Sequence, residues 1–289
     1  MSARNNQDRF GAEDSSGQDV TPAIAEQTTS TLNFTVPIEE VDLPSKGQFY
    51  PEGHPLYNQA NVEIRHMTAK EEDVLTNKSY IKNGTVLDRL LESVLVDKTI
   101  KAKDLLSGDK SAILVAARIS GYGEEYKAKI PCPSCGTVSD FEFDLLEAQV
   151  INDPDECPLV QDGTITRTDK GTFLFTLPKT NVLVEVRPLT GTDEAKILNT
   201  NKMRQKNKLP ELPLSDQMKT FIVSVNGQED NMTISQFVES MPAIDSRYLR
   251  STYKMVTPSV DLAQEWECQA CSYSQVLEVP FTSEFFWPK

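Results

Sequence analysis

The chain has 289 residues, enough for one large domain or two modest ones with a buried core. Its formal net charge of −14 argues against a nucleic-acid surface, since phosphate contacts need clustered Lys and Arg. No apolar run approaches the ~20 residues that span a bilayer, and the two histidines, His54 and His66, neighbour no nucleophile in a catalytic motif, so neither membrane insertion nor acid–base catalysis on a small-molecule substrate is expected.

Residues 1–33 are rich in Asn, Gln, Asp, Ser and Thr without a period, the composition of a disordered N-terminal arm. The next segment, Val41 to Pro51, places turn residues between short apolar groups and reads as an extended loop or hairpin leading to the strand Val62-Glu-Ile-Arg65. Thr68 and Glu71 then form a capping box, and Thr85 with Asp88 gives a looser version of the same signal. From Val86 to Leu95 the apolar residues Val86, Leu87, Leu90, Leu91, Val94 and Leu95 recur at three and four, which predicts a helix with one buried face. A further helix is expected over 108–120, with Ile113, Leu114, Ala117 and Ile119 inside and Gly121 ending it.

Alternating Tyr126, Ala128 and Ile130 lead into Cys132-Pro-Ser-Cys135, and Phe141 with Phe143 leads out, so a strand, a knuckle and a strand follow one another. The same order recurs near the end: Leu262 and Trp266 enter Cys268-Gln-Ala-Cys271, and Val276, Leu277 and Val279 leave it. Gly136 supplies the positive φ that such a knuckle uses, whereas Ser272 stands at the matching place and must turn less comfortably.

The stretches between the knuckles also match. Val62-Glu-Ile-Arg65-His-Met-Thr68 corresponds to Val184-Glu-Val-Arg187-Pro-Leu-Thr190, offset by 122, and Glu71 and Glu72 correspond to Asp193 and Glu194. Ser93 then pairs with Ser224, Ile100 with Ile234, Asp109 with Asp245 and Arg118 with Lys254, the offset reaching 136, the same as between Cys132 and Cys268. Most of the drift falls in Asn201–Pro210, expected as an inserted loop. Its Lys202, Arg204, Lys206 and Lys208 read as a solvated loop in preference to a contact with an acidic partner. Phe281, Phe285, Phe286 and Trp287 near the end either tuck onto the core as a final strand or anchor a partner, packing on the ribbon being preferred.

Two Cys-x-x-Cys pairs provide the four thiolates of a tetrahedral shell with no position left open for substrate, so a structural Zn2+ held by Cys132, Cys135, Cys268 and Cys271 is the preferred reading. Dithiol redox centres and disulfides are the alternatives, the first lacking a βαβ context and the second a secretory signal. Cys157, in an acidic loop, is expected as an ordinary free cysteine. The fold expected is α+β: two tandem homologous strand-plus-helices modules, 34–150 and 151–289, joined through a shared four-cysteine zinc ribbon behind the arm 1–33.

The strings Leu43-Pro-Ser-Lys-Gly47-Gln-Phe-Tyr50-Pro51, Arg65-His-Met-Thr-Ala-Lys-Glu-Glu-Asp73, Leu105-Leu-Ser-Gly-Asp109-Lys-Ser-Ala-Ile113, Cys132-Pro-Ser-Cys135 and Phe285-Phe-Trp-Pro288 together resemble the baseplate hub proteins of contractile-tailed phages of the T-even type. The resemblance implies a non-enzymatic structural or chaperone-like assembly protein whose partners are other baseplate hub proteins, located in the virion or in the host cytoplasm during tail assembly. The alternative is a cytosolic zinc-ribbon adaptor or dithiol redox protein unrelated to tails.

Overall fold

The computed structural model describes residues 35–151, 156–279 and 283–286. The arm 1–33, residues 152–155 of the acidic loop, and Phe281, Trp287 and Pro288 lie outside the described residues. Strand β1 (Ile38–Asp42) pairs antiparallel with β2 (Asn61–Arg65), and Val41, Val62 and Ile64 turn inward. The segment between them is a run of turns rather than a second strand pair, fixed by buried Leu43, Tyr50 and Leu56.

Three helices follow: α1 (Ala69–Thr76), α2 (Lys78–Asn83) and α3 (Val86–Val94), the last burying Val86, Leu90, Leu91 and Val94 as its period requires. The Thr68 cap forms as read, its backbone N–H donating to Glu71 at 2.9 Å. The looser signal at Thr85 does not cap, because the Asp88 carboxylate accepts from Lys110 instead, at 2.8 Å. Helix α4 (Ser107–Tyr122) runs through Gly121, whose missing side chain makes room for Met67. Gly123, at φ +84°, ends it.

Strands β3 (Glu125–Pro131) and β4 (Val138–Asp144) form the first hairpin, and β5 (Gln149–Ile151) follows. After α5 (Pro158–Gln161), the antiparallel sheet β6 (Thr166–Arg167), β7 (Phe173–Thr176), β8 (Leu183–Val186) and β9 (Ile222–Val225) is interrupted by α6 (Gly191–Lys206) and α7 (Pro213–Phe221). The expected loop at 201–210 is thus helical up to Lys206: the insertion lengthens a helix, since Asn201 to Lys206 hold no Gly or Pro to stop it. Helices α8 (Asn231–Ser240) and α9 (Ala243–Val256) lead to β10 (Ser259–Asp261), which pairs with β5, and to a second hairpin of β11 (Ala263–Glu267) and β12 (Ser274–Glu278).

The architecture is α+β, with two large buried clusters. One gathers α3, α4, β2 and the first hairpin with Leu262, Val279, Phe285 and Phe286 from the chain's end; the other surrounds Phe173, Phe175, Val184, Phe221 and Leu249, and Phe49 packs against both. Phe285 and Phe286 pack on the core in a 3-10 turn, with Tyr126 of the first hairpin at 5.3 Å from the Phe285 ring. Arg118, at the end of α4, is buried and donates to the carbonyls of Phe285, Gly123 and Glu125. Lys254, expected from the sequence to correspond to it, lies at the surface, 3.7 Å from Glu278.

Buried carboxylates fix each half. Asp109 in the first turn of α4 accepts from the Ser45 N–H, the Ser45 hydroxyl and the Tyr50 hydroxyl; Asp245 in the first turn of α9 accepts from the Lys179 and Thr180 N–H groups. Both therefore hold a turn that follows a Leu-Pro pair, Leu43-Pro44 and Leu177-Pro178. Ahead of these, Arg65 contacts Glu71 and Arg187 contacts Asp193, each at 2.6 Å, in a capped first turn.

Burial alone would raise the Glu71 and Asp193 pKa values, but hydrogen bonds outweigh it, from Ser93 and Thr68 on Glu71 and from Arg187 and Thr190 on Asp193, and both carboxyls are held below their usual range. A depressed folded pKa adds stability that is present above the unfolded value, about 4, and is lost as pH falls through the folded one. The double variant Glu71→Gln with Asp193→Asn is therefore expected to be less stable at neutral pH and to show a flatter acid limb in urea midpoints measured from pH 6 to pH 2. An unchanged limb would show that these caps do not carry it.

Candidate metal centre

Each hairpin carries its cysteines on an identical backbone turn. In the first, Cys132 N–H donates to the Thr137 carbonyl and Gly136 N–H to the Cys132 carbonyl, both at 2.9 Å. In the second, Cys268 N–H donates to Tyr273 and Ser272 N–H to Cys268, both at 2.8 Å. Gly136 has φ +73° and Ser272 φ +53°, so the serine occupies a left-handed conformation that glycine takes without strain.

The two turns face one another. Sγ of Cys132 lies 3.7 Å from Sγ of Cys271, Sγ of Cys135 lies 3.7 Å from Sγ of Cys268, and all four sulfurs fall within 4.8 Å of one another. Cys132 and Cys268 are buried, Cys135 and Cys271 exposed. Trp266, with Ile130, Phe141 and Leu277, packs beneath the buried pair, so the inner side of the group is dry and its outer side open.

All four residues expected as ligands are thus brought together, and they can hold a metal ion. Cys157 is not in the group; it is buried in the second core cluster, next to α5. Hydrogen bonds from the Thr137 hydroxyl and backbone pull the Cys135 thiol down to about 6. A backbone hydrogen bond from Tyr273 also favours the Cys271 thiolate, but desolvation and the neighbouring thiols outweigh it and push that thiol up to about 11. The neighbouring thiols add to the opposition, favouring the Cys135 thiolate and disfavouring that of Cys271, because sulfurs this close do not all ionise unless a cation lies between them. Thr137 was not singled out in the sequence; its only signal there is its place two residues after the second cysteine of the knuckle.

The histidines have other work. His54 stacks on Tyr50 at 4.5 Å and its Nδ1 accepts from the Leu56 N–H, while His66 faces Glu39 at 3.7 Å.

Replacing Ser272 with glycine relieves the left-handed strain in the second knuckle, and should raise the unfolding free energy by about 0.5–1 kcal/mol after the added unfolded-state entropy is counted. Gly136→Ala should do the reverse. Thermal melts of the two variants check both signs.

Searches of curated proteins and of solved structures each return no match. The profile of a family described as T4 bacteriophage base plate protein does match, over residues 36–287. The match takes in both hairpins and all four clustered cysteines, and points to a structural rather than a catalytic role. The chain belongs to the T4 bacteriophage base plate protein family, and its place is among the structural proteins of a phage baseplate.

Proposed function

We propose that this protein is a subunit or assembly factor of the baseplate hub, built from two tandem homologous modules that one structural zinc ion clasps together through Cys132, Cys135, Cys268 and Cys271. The observation that carries the reading is the family match spanning both knuckles, joined to the hub-like strings such as Leu43-Pro-Ser-Lys-Gly47 and Phe285-Phe-Trp-Pro288. Its partners are other hub proteins, and its work is done by contact surfaces.

Zinc is favoured by donor chemistry and spacing. A tetrahedral ion with Zn–S bonds of ~2.3 Å separates its sulfurs by about 3.8 Å, close to the 3.7 Å between the sulfurs of facing knuckles. Four thiolates fill the shell, so the ion polarises no substrate and serves as a cross-link. The redox alternative is disfavoured because each Cys-x-x-Cys sits in the turn of a β-hairpin, away from the helix N-terminus that lowers a reactive thiol's pKa.

The duplication is supported by parts with no reason to recur by chance: Arg-to-carboxylate contacts in two capped first turns, an Asp clamping a turn after a Leu-Pro pair in each half, and two hairpins with the same turn hydrogen bonds. In that arrangement each module supplies half of the metal shell, and the ion fixes the hairpins against one another at the seam.

Purified protein should contain about one zinc per chain, and Cys132→Ser and Cys268→Ser should each lose it, as a shared site requires. Chelation should open both knuckles to protease while the cores persist, since β5–β10 pairing still joins the halves. Two ions per chain, or zinc kept by either variant, would refute the shared site. For the hub role, mass spectrometry of purified virions and of tail-assembly intermediates should find the chain in fixed ratio to hub proteins in one or both; its absence from both removes the reading.

A further inference from the structure

Helix α6 is long and nearly bare. Of its sixteen residues only Gly191 and Asp193, in the first turn, are buried. A helix is ordinarily held by an apolar face packed against its neighbours, and here the last turns lack one. Instead, Leu198, Met203, Leu209, Leu212 and Leu214 are all exposed; five of the sixteen large apolar side chains exposed among the described residues fall within this one stretch.

The charge of the stretch also runs against the rest of the chain. From Lys196 to Leu209 there are five cations and no carboxylate, in a protein of net charge −14. Lys196 and Arg204 pair with Asp193 and Asp216, and Lys202 donates to the Asn83 carbonyl. Lys206 and Lys208 have no carboxylate partner among the described residues. Cations in a last turn complement the helix dipole, which accounts for Arg204 and Lys206 but not for the exposed leucines and methionine beside them.

Next to this stretch lies a groove of about 800 Å³, between α6 and α7 on one side and α9, β10 and β12 on the other. Leu189, Ile197, Phe221, Val260, Leu262 and Val279 are among its lining residues, and Leu198 and Leu214 join it to the exposed apolar stretch. Its carboxylates are engaged: Glu194 accepts from Lys110, Asp261 from the Ala263 N–H, and Glu278 lies near Lys254. Arg250 in the same wall has no carboxylate partner among the described residues.

We propose that this groove and the end of α6 together dock an acidic, amphipathic helical segment of another baseplate protein, an inference that rests on the family's baseplate role and not on the hub assignment. The partner's apolar side chains enter the groove between Leu198 and Leu214, and its carboxylates meet Lys206, Lys208 and Arg250. Apolar anchors supply the affinity, and the cations select an acidic partner and steer its approach.

Photo-crosslinking in cells producing the phage tests this directly. Benzoylphenylalanine is placed at Met203 or Leu214, with Met232 on α8, more exposed than either and outside the stretch, as the control. The expected result is adducts from positions 203 and 214 to a carboxylate-rich peptide of another baseplate protein, falling about tenfold when Lys206→Glu and Lys208→Glu are combined, with the variant's thermal melt unchanged. Failure of both positions to crosslink, adducts to a second copy of this chain, adducts to peptides without excess acid, or a yield insensitive to the charge reversal would each overturn the docking proposal. A chain absent from virions and intermediates alike, by the mass measurement above, would instead overturn the hub reading, so the two failures are separable.

Discussion

Everything about the seam depends on the end of the chain returning to the first core, and Arg118 is where it is held. Its buried guanidinium donates to the carbonyls of Gly123 and Glu125, where α4 turns into the first hairpin, and to the carbonyl of Phe285 at the far end of the sequence. A buried cation left without acceptors would be strongly destabilising, so these three carbonyls and the guanidinium specify one arrangement. Phe285 and Phe286 then fill the space against Tyr126 and Phe143, and Leu262 and Val279 close over the same cluster. The second hairpin flanks this anchored tail, and so its knuckle arrives opposite the first.

Inside each half a different device works, a carboxylate in the first turn of a helix that reaches out to a preceding turn. Asp109 accepts from Ser45 and Tyr50, and Asp245 from Lys179 and Thr180. The two are not equal. Burial outweighs the hydrogen bonds from Ser45 and Tyr50 and pushes the Asp109 carboxyl up, whereas the hydrogen bonds of the Thr180 and Lys179 turn outweigh desolvation and hold Asp245 down. Lys110, next to Asp109, contributes an ion pair with Asp88 of its own half and one with Glu194 at the start of α6, so that one buried ammonium spans the two halves.

The two parts of the chain also differ where nothing inside constrains them. Helix α1 ends after eight residues, whereas α6 continues for sixteen and leaves its second half to solvent. Arg118 is buried and structural, while Lys254 is a surface group beside Glu278. The first core thus binds the chain's own end, and the groove beside α6 stays open. In a phage baseplate protein such asymmetry gives the two parts of the chain different surfaces.

The sequence by itself determined what depends on local chemistry. The period of Val86 to Val94, the Thr68 and Thr190 caps, and the strand–knuckle–strand order around each Cys-x-x-Cys are fixed by neighbours a few residues away, and all can be read directly. It also fixed the strain at Ser272, since only residue type decides what a left-handed turn costs. Tertiary packing decided the rest. Gly121 stays helical because Met67 fills the space it leaves, and Asp88 abandons a cap for Lys110. The match between Leu43-Pro44 and Leu177-Pro178 stays hidden in a linear comparison, because the loop after the first is much the longer; it appears only when Asp109 and Asp245 are seen gripping both turns. The convergence of the four sulfurs is of the same kind: residue type nominates them, and only the docking of the chain's end brings them together.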